Sequence, residues 1–189
     1  DVYCQVVRGL GSGSGSCSRY FVDDFSNLNA WTPVRGNWQN PNGQLCGGTG
    51  EGRIFVPLTQ ADYVITVKVA VLQQGNGYGI YFRASNLQSV DGYSFQFDPG
   101  YASSFIFRKW VHGNELSPFA RAYAPAGFEW WNTAHEIKVV ANGNRFTAYV
   151  DGQQVLTGSD TTYVTGGVGF RTWDNTKACF DDLSVDPLP

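Results

Sequence analysis

At 189 residues, with 15% aromatic residues, 23 glycines, only 15% charged residues and a net charge of −3, the chain suits one all-β domain of short strands and tight turns. No basic stripe marks a nucleic-acid partner, and no apolar run is long enough to make a membrane span. No leader is visible, so an exported form has already lost it.

Residues 1–19 stand apart as a short N-terminal appendage. Asp1–Leu10 reads as the tail of a helix or a short strand, and Gly11–Ser16 alternates Gly and Ser, a run that cannot pack. The body, residues 20–189, is period two almost throughout. Over Asp62–Leu72 the residues Tyr63, Ile65, Val67, Val69 and Val71 share one parity. Gly77–Ala84 sets Tyr78, Ile80 and Phe82 against Gly79, Tyr81 and Arg83, and Gly92–Asp98 sets Tyr93, Phe95 and Phe97 against Ser94, Gln96 and Asp98. In Ser104–Trp110, Phe105 and Phe107 oppose Ile106, Arg108 and Trp110. Pro118 and Pro125 bracket a loop, and the apolar Phe128, Trp130 and Trp131 beside it form a cluster that could serve as a binding platform at the rim; the favoured reading is a lid folded back over the core. His135–Ala141 and Arg145–Asp151 are strands joined by Asn142-Gly143-Asn144, the strongest local hairpin signal, and Asp151-Gly152 marks a second tight turn. Gly167–Trp173 and Ala178–Val185 close the domain. Turn signals about every ten residues predict an all-β, two-sheet antiparallel jelly-roll sandwich.

Four cysteines allow three pairings. The favoured ones are Cys4–Cys17, closing a short loop, and Cys46–Cys179, tying an early strand to the last. Two disulfides imply an oxidising compartment, hence a secreted or cell-surface protein.

The runs Asp62–Val69, Gly75–Ala84, Asp91–Gly100, Arg145–Val155, Gly166–Trp173 and Phe180–Val185 resemble the concanavalin-like laminin-G/glucanase superfamily. Within it the chain is similar to the bacterial keto-disaccharide-hydrolase-like domains and to the levan-binding type of carbohydrate-binding module. The resemblance covers roughly Phe21 to Val185 and implies a glycan site on the concave sheet. With the phenylalanines facing the core, Tyr81, Arg83, Gln96, Asp98, Arg108, Trp110, Arg171 and Trp173 face outward together as its expected lining. Trp and Tyr stack on the C–H faces of sugars, while Arg and Asp fix their hydroxyls. Three arginines also suit a carboxylate-bearing sugar. In similar modules a structural calcium ion lies between the first and last strands. Asp23-Asp24 and Asp181-Asp182 offer carboxylates there, with Asp24 and Asp182 as the expected ligands and Asp181 sharing the inward parity of Leu183.

The paired-carboxylate strand E-x-D-x-E of laminarinase-type hydrolases is absent, as is the Q-I-H strand of alginate-lyase-type jelly rolls. Asp98 offers one carboxyl, and its candidate partners Glu51, Glu115 and Glu129 read as loop residues. His135 reads as a structural hydrogen-bonding residue and His112 as exposed. The expected function is therefore a noncatalytic carbohydrate-binding or adhesive module whose partner is a glycan or polysaccharide. Two alternatives stand beside it. One is the globular head of a surface filament such as a minor pilin, with other subunits as partners and the appendage as the stub of a removed helix. The other is a glycoside hydrolase of the keto-disaccharide type.

Overall fold

A computed structural model describes residues 19–189. Apart from Arg19, the expected appendage lies outside the described residues. So do the Cys4–Cys17 pairing and the filament stub that rests on the appendage.

The first strands are β1 (Phe21–Asp23), β2 (Thr32–Arg35), β3 (Trp38–Gln39), β4 (Leu45–Gly47) and β5 (Gly52–Val56). The long central strands are β6 (Tyr63–Gln74), β7 (Tyr78–Ser85), β8 (Asp91–Asp98) and β9 (Ser104–Val111). Two short ones follow, β10 (Asn114–Glu115) and β11 (Ala120–Tyr123), the second inside the stretch expected to be a loop. The last are β12 (Ala134–Asn142), β13 (Arg145–Val150), β14 (Gln153–Ser159), β15 (Gly167–Thr172) and β16 (Lys177–Asp186). One sheet runs β14-β13-β12-β6-β16-β4-β3 with β1 beside β16, and the other runs β10-β9-β8-β7-β15-β5-β2 with β11 beside β9. All recorded pairings are antiparallel, and the fold is the expected two-sheet sandwich.

The two sheets bury one aromatic core. Ile80, Phe82, Phe95, Phe97, Phe105, Phe107 and Phe170 come from the second sheet, and Ile65, Val67, Val139, Phe146 and Phe180 from the first. Phe95 pairs with Phe107 and Phe97 with Phe105 across β8–β9, so the alternation read in each strand becomes one continuous apolar face. Trp130 and Phe128 pack on Phe97 and Phe105 as the expected lid. Trp131 does not join them; it is exposed and its Nε1–H donates to the Gly75 carbonyl at 2.9 Å. His135 is buried, with Nδ1 2.7 Å from Asp151 Oδ2 and Nε2 2.7 Å from the Glu129 carbonyl. Cys46 and Cys179 are cross-strand partners on β4 and β16 and form the expected disulfide.

Three departures from strict alternation decide where side chains point. In β6 the register with β12 shifts between His135 and Ile137, so Ala70 and Leu72 take the core positions expected for Val69 and Val71. In β16, Asp182 has φ 51°, so Phe180 and Leu183 both face the core and Asp181 stays at the surface, not inward. In β7 the pairing with β8 shifts between Phe82 and Ser85, setting Arg83 and Ala84 against Gly92 alone.

Candidate functional site

The bulge in β7 removes Arg83 from the expected site. Its φ of 47° swings the side chain to the core edge, where it is 2% exposed. There Nε donates to the Ala61 carbonyl, Nη1 to the Tyr163 carbonyl and Nη2 to Asp62, and the guanidinium lies 5.2 Å over the Phe146 ring. Arg83 closes the end of the sandwich and does not face the outer sheet surface.

Tyr81 and Trp110 keep the outward parity, yet neither is available to stack on a ligand. With Phe55, Ala84 and Val90 they form a second, smaller apolar cluster on the outer face of the second sheet. Trp110 is 1% exposed; its Nε1–H donates to Ser94 Oγ at 2.9 Å and its ring meets Tyr81 edge-on. Two guanidiniums roof it, Arg53 at 4.8 Å and Arg171 at 4.7 Å from the ring centroid. Trp110 is the pedestal of the site and not its sugar platform.

The remaining five expected residues, Gln96, Asp98, Arg108, Arg171 and Trp173, line one open cleft of about 230 Å³ together with Asn76, Gly100, Tyr101, Glu115 and Asp174. Register places them. Arg53, Arg171, Gly79 and Gln96 are successive cross-strand partners on β5, β15, β7 and β8. Gly79 leaves room between its neighbours: a Cβ there would stand 3.4 Å from Arg171 Cβ and 3.8 Å from Gln96 Cγ.

Arg53 and Arg171 are like charges directly opposite each other, and Glu51 resolves the conflict. Glu51 Oε1 accepts from Arg53 Nε at 2.8 Å and from Arg171 Nε at 2.9 Å, while Oε2 accepts from Arg171 Nη2 at 3.1 Å. Glu115 completes the network, accepting from Arg171 Nη1 at 2.5 Å and forming an ion pair with Arg108, whose Nε lies 3.0 Å from Glu115 Oε1. Arg108 also donates to Gln96 Oε1 at 3.0 Å and to the Leu116 carbonyl at 3.0 Å. Arg171 lies between two indoles, with Trp173 also 4.7 Å from its guanidinium. Side chains held this way are ordered before any ligand arrives.

The electrostatics follow from these contacts. Burial works against the Arg171 cation, but the hydrogen bonds and charge of Glu51, with Glu115, outweigh it and raise its pKa. Burial likewise opposes the Glu51 carboxylate, and Arg171 with Arg53 outweighs it and lowers that pKa. Asp98 differs. Burial dominates, the Tyr101 N–H and the nearby arginines offset it only in part, and its pKa is pushed up to about 6. The arginines are already paired with carboxylates, so a strong anion site, expected for an acidic sugar, is not what the cleft presents. It offers carboxyl and amide acceptors, guanidinium donors and two aromatic walls, Trp173 and Tyr101. That set suits neutral, vicinal hydroxyl groups.

Of the expected loop residues, Glu51 does lie outside the strands, directly before β5, while Glu115 is in β10; both join the site, as do Arg53 and Tyr101, which sequence reasoning does not single out. Glu51 shares strand parity with Arg53, two residues on, and that signal was legible. Glu115 was not, because only the two-residue strand β10 folding back on β9 sets it opposite Trp110. Asp24 follows the end of β1 and Asp182 lies within β16, next to the Asp23–Leu183 pair, and both are exposed. Asp24 Oδ1 accepts the Ser26 N–H, and among the described residues no group of three His, Cys, Asp or Glu gathers as metal ligands.

A family model for the 3-keto-alpha-glucoside-1,2-lyase-like domain matches residues 21–186. A levanase of Bacillus subtilis (strain 168) is 26% identical over 165 residues, which is 85% of this chain and 23% of the levanase. The chain thus spans about a quarter of that relative's length. Carbohydrate-binding module CBM66 from Bacillus subtilis superposes with a TM-score of 0.72 at 24% identity, covering 83% of this chain and 95% of the module. A prokaryotic β-1,3-1,4-glucanase (lichenase) derived from a mouse hindgut metagenome superposes with a TM-score of 0.67 at 13% identity, over 89% of this chain and 99% of the enzyme. Likeness at these identities shows the fold.

Proposed function

The chain belongs to the 3-keto-alpha-glucoside-1,2-lyase-like domain family, and from that premise we propose that it is a noncatalytic glycan-binding module of a secreted or cell-surface protein. The observation that carries this is the preorganised cleft: Arg108 and Arg171 are fixed by Glu51, Glu115 and Gln96 between the walls of Trp173 and Tyr101. The cleft is small beside the roughly 300–1,000 Å³ of sites that enclose larger ligands, which suits one sugar unit at a time. The similarity to a levanase and to a carbohydrate-binding module supports a fructan as the first ligand to try. The Cys46–Cys179 disulfide supports an oxidising compartment.

Affinity electrophoresis in gels containing levan, inulin, β-glucan or mannan tests the reading. At least one polysaccharide is expected to retard the protein, and Trp173→Ala and Arg108→Ala should each abolish the retardation. No retardation by any of them removes the support for glycan binding.

A second reading has its own observation. Asp98, protonated up to about pH 6 and lying in the same cleft as Glu115, has the character of a general acid in a glycoside hydrolase. Product release from a sugar panel, including 3-keto-glucosides, that stops in Asp98→Ala supports it; no turnover over a day removes it. A calcium ion at Asp24 and Asp182 is a separate proposal, supported by the pairing of β1 with β16. It requires calcium to raise the melting temperature over EDTA, and Asp182→Ala to erase the gain.

A further inference from the structure

A cleft that holds one sugar unit leaves the rest of a glycan outside it, and the surface beside the cleft is not featureless. On the second sheet, Asp98 of β8 pairs with Ser104 of β9, and Ser104 pairs with Tyr123 of β11. One row over, Gln96 pairs with Ile106, and Ile106 with Arg121. Cross-strand partners share a face, so Arg121 and Tyr123 stand on the cleft's side of the sheet, two strand spacings or about 10 Å from its floor.

Aromatic and guanidinium groups bridge that interval. The Arg108 guanidinium, inside the cleft, lies 5.0 Å from the Tyr101 ring centroid. Arg121 lies 5.0 Å from the same ring and 4.4 Å from the Tyr123 ring. Tyr101 is 38% and Tyr123 70% exposed. An exposed arginine on an edge strand is ordinarily mobile, and ordering it costs side-chain entropy. Arg121 is held at three points, the two rings and Ser104 Oγ, to which Nε donates at 2.9 Å. Its two Nη groups have no hydrogen-bond partner among the described residues. They contrast with Arg171, whose donors are taken by Glu51 and Glu115. The surface is thus ordered, aromatic and supplied with spare donors, the features of a site that grips without large entropic loss.

The geometry points to an extended subsite running from Tyr101 over Arg121 to Tyr123. It takes the sugar units that follow the one seated in the cleft, so the protein grips an oligosaccharide end rather than a lone monosaccharide. This inference rests on the cleft being a glycan site. The ligand class is a neutral oligosaccharide whose rings lie on the tyrosines and whose hydroxyls accept from Arg121.

The test is calorimetric titration of the wild type, Tyr123→Ala and Arg121→Ala with fructose and with levan oligosaccharides of two to six units. Where the gels retain another polysaccharide, its own monosaccharide and oligomers are used. Affinity in the wild type is expected to rise about tenfold with length, a modest gain for one or two stacked rings. Both variants should lose most of that rise while keeping the affinity for the monosaccharide and a melting temperature close to the wild type's. Equal affinity for the monosaccharide and the longest oligomer, or a rise that survives in both variants, overturns the extended subsite and leaves the cleft reading standing. Failure of the wild type to bind any of the sugars overturns both.

Discussion

At the scale of single residues, the structure separates the tryptophan that holds the site up from the one that borders it. Trp110 is a fully buried pedestal under two arginines, while Trp173 is half-buried at the rim of the cleft. Trp110→Ala is therefore expected to cost about 3–5 kcal/mol of folding stability, the usual range for emptying a large aromatic from a core. Trp173→Ala should cost little stability and act on ligand binding. Denaturant unfolding of both variants checks the contrast, and similar losses in both contradict it. Asp98 and Asp160 carry opposite pH signs. The folded pKa of Asp98, about 6, exceeds its ordinary 3.8, so the folded state binds more protons and stability falls as pH rises between those values. Asp98→Asn should raise the melting temperature at pH 7, and the gain should vanish near pH 4. At Asp160 burial opposes the carboxylate, but Lys109, Thr162 and Tyr93 outweigh it and lower the pKa. Its stabilisation is present above pH 4 and lost as pH falls through the lowered value. Asp160→Asn should therefore destabilise at pH 7 and match the wild type in strong acid.

At the scale of elements, what the sequence revealed and what it hid have one physical boundary. Alternation is a property of a single strand, and Phe95, Phe97, Phe105 and Phe107 could be placed in the core from it alone. A bulge is a property of two strands compared, so nothing near Arg83 announced that this arginine would leave the outer face. The same holds for Val69 and Val71, displaced by a register shift against β12, and for Glu115, which reaches the cleft only through β10. The bulge in β7 has a fixed partner in Gly92, whose φ is +156° and whose added Cβ would stand 2.8 Å from Ala84 Cα and 2.9 Å from the Arg83 carbonyl oxygen. Backbone cannot yield there as a flexible side chain would. Gly92→Ala is expected to cost about 2–4 kcal/mol by combining strain and overpacking. Amide exchange in β7 and β8 should accelerate with it, and a neutral substitution would mean that the pairing can re-register.

At the scale of the molecule, the disulfide closes a loop of 133 residues, almost the whole sandwich. In the chain-entropy picture such a closure stabilises by up to ~5 kcal/mol through the unfolded state, with 2–4 kcal/mol typical. The paired variant Cys46→Ala with Cys179→Ala should show a loss in that range by denaturant unfolding, with glycan binding kept where the protein stays folded. A loss below about 1 kcal/mol would mean that the unfolded chain is already constrained between these strands.

The pairing of β1 with β16 has a consequence for how the domain hangs on a polypeptide. The Tyr20 N–H donates to the Val185 carbonyl at 2.8 Å, and Arg19 reaches Asp186 at 3.4 Å. Whatever chain enters at Arg19 and leaves beyond Asp186 does so at one corner, on the sheet opposite the cleft. A domain whose two described ends meet at one corner can be inserted into a longer chain at little topological cost, and any chain joined there would hold it from the side away from the arginine-rich face.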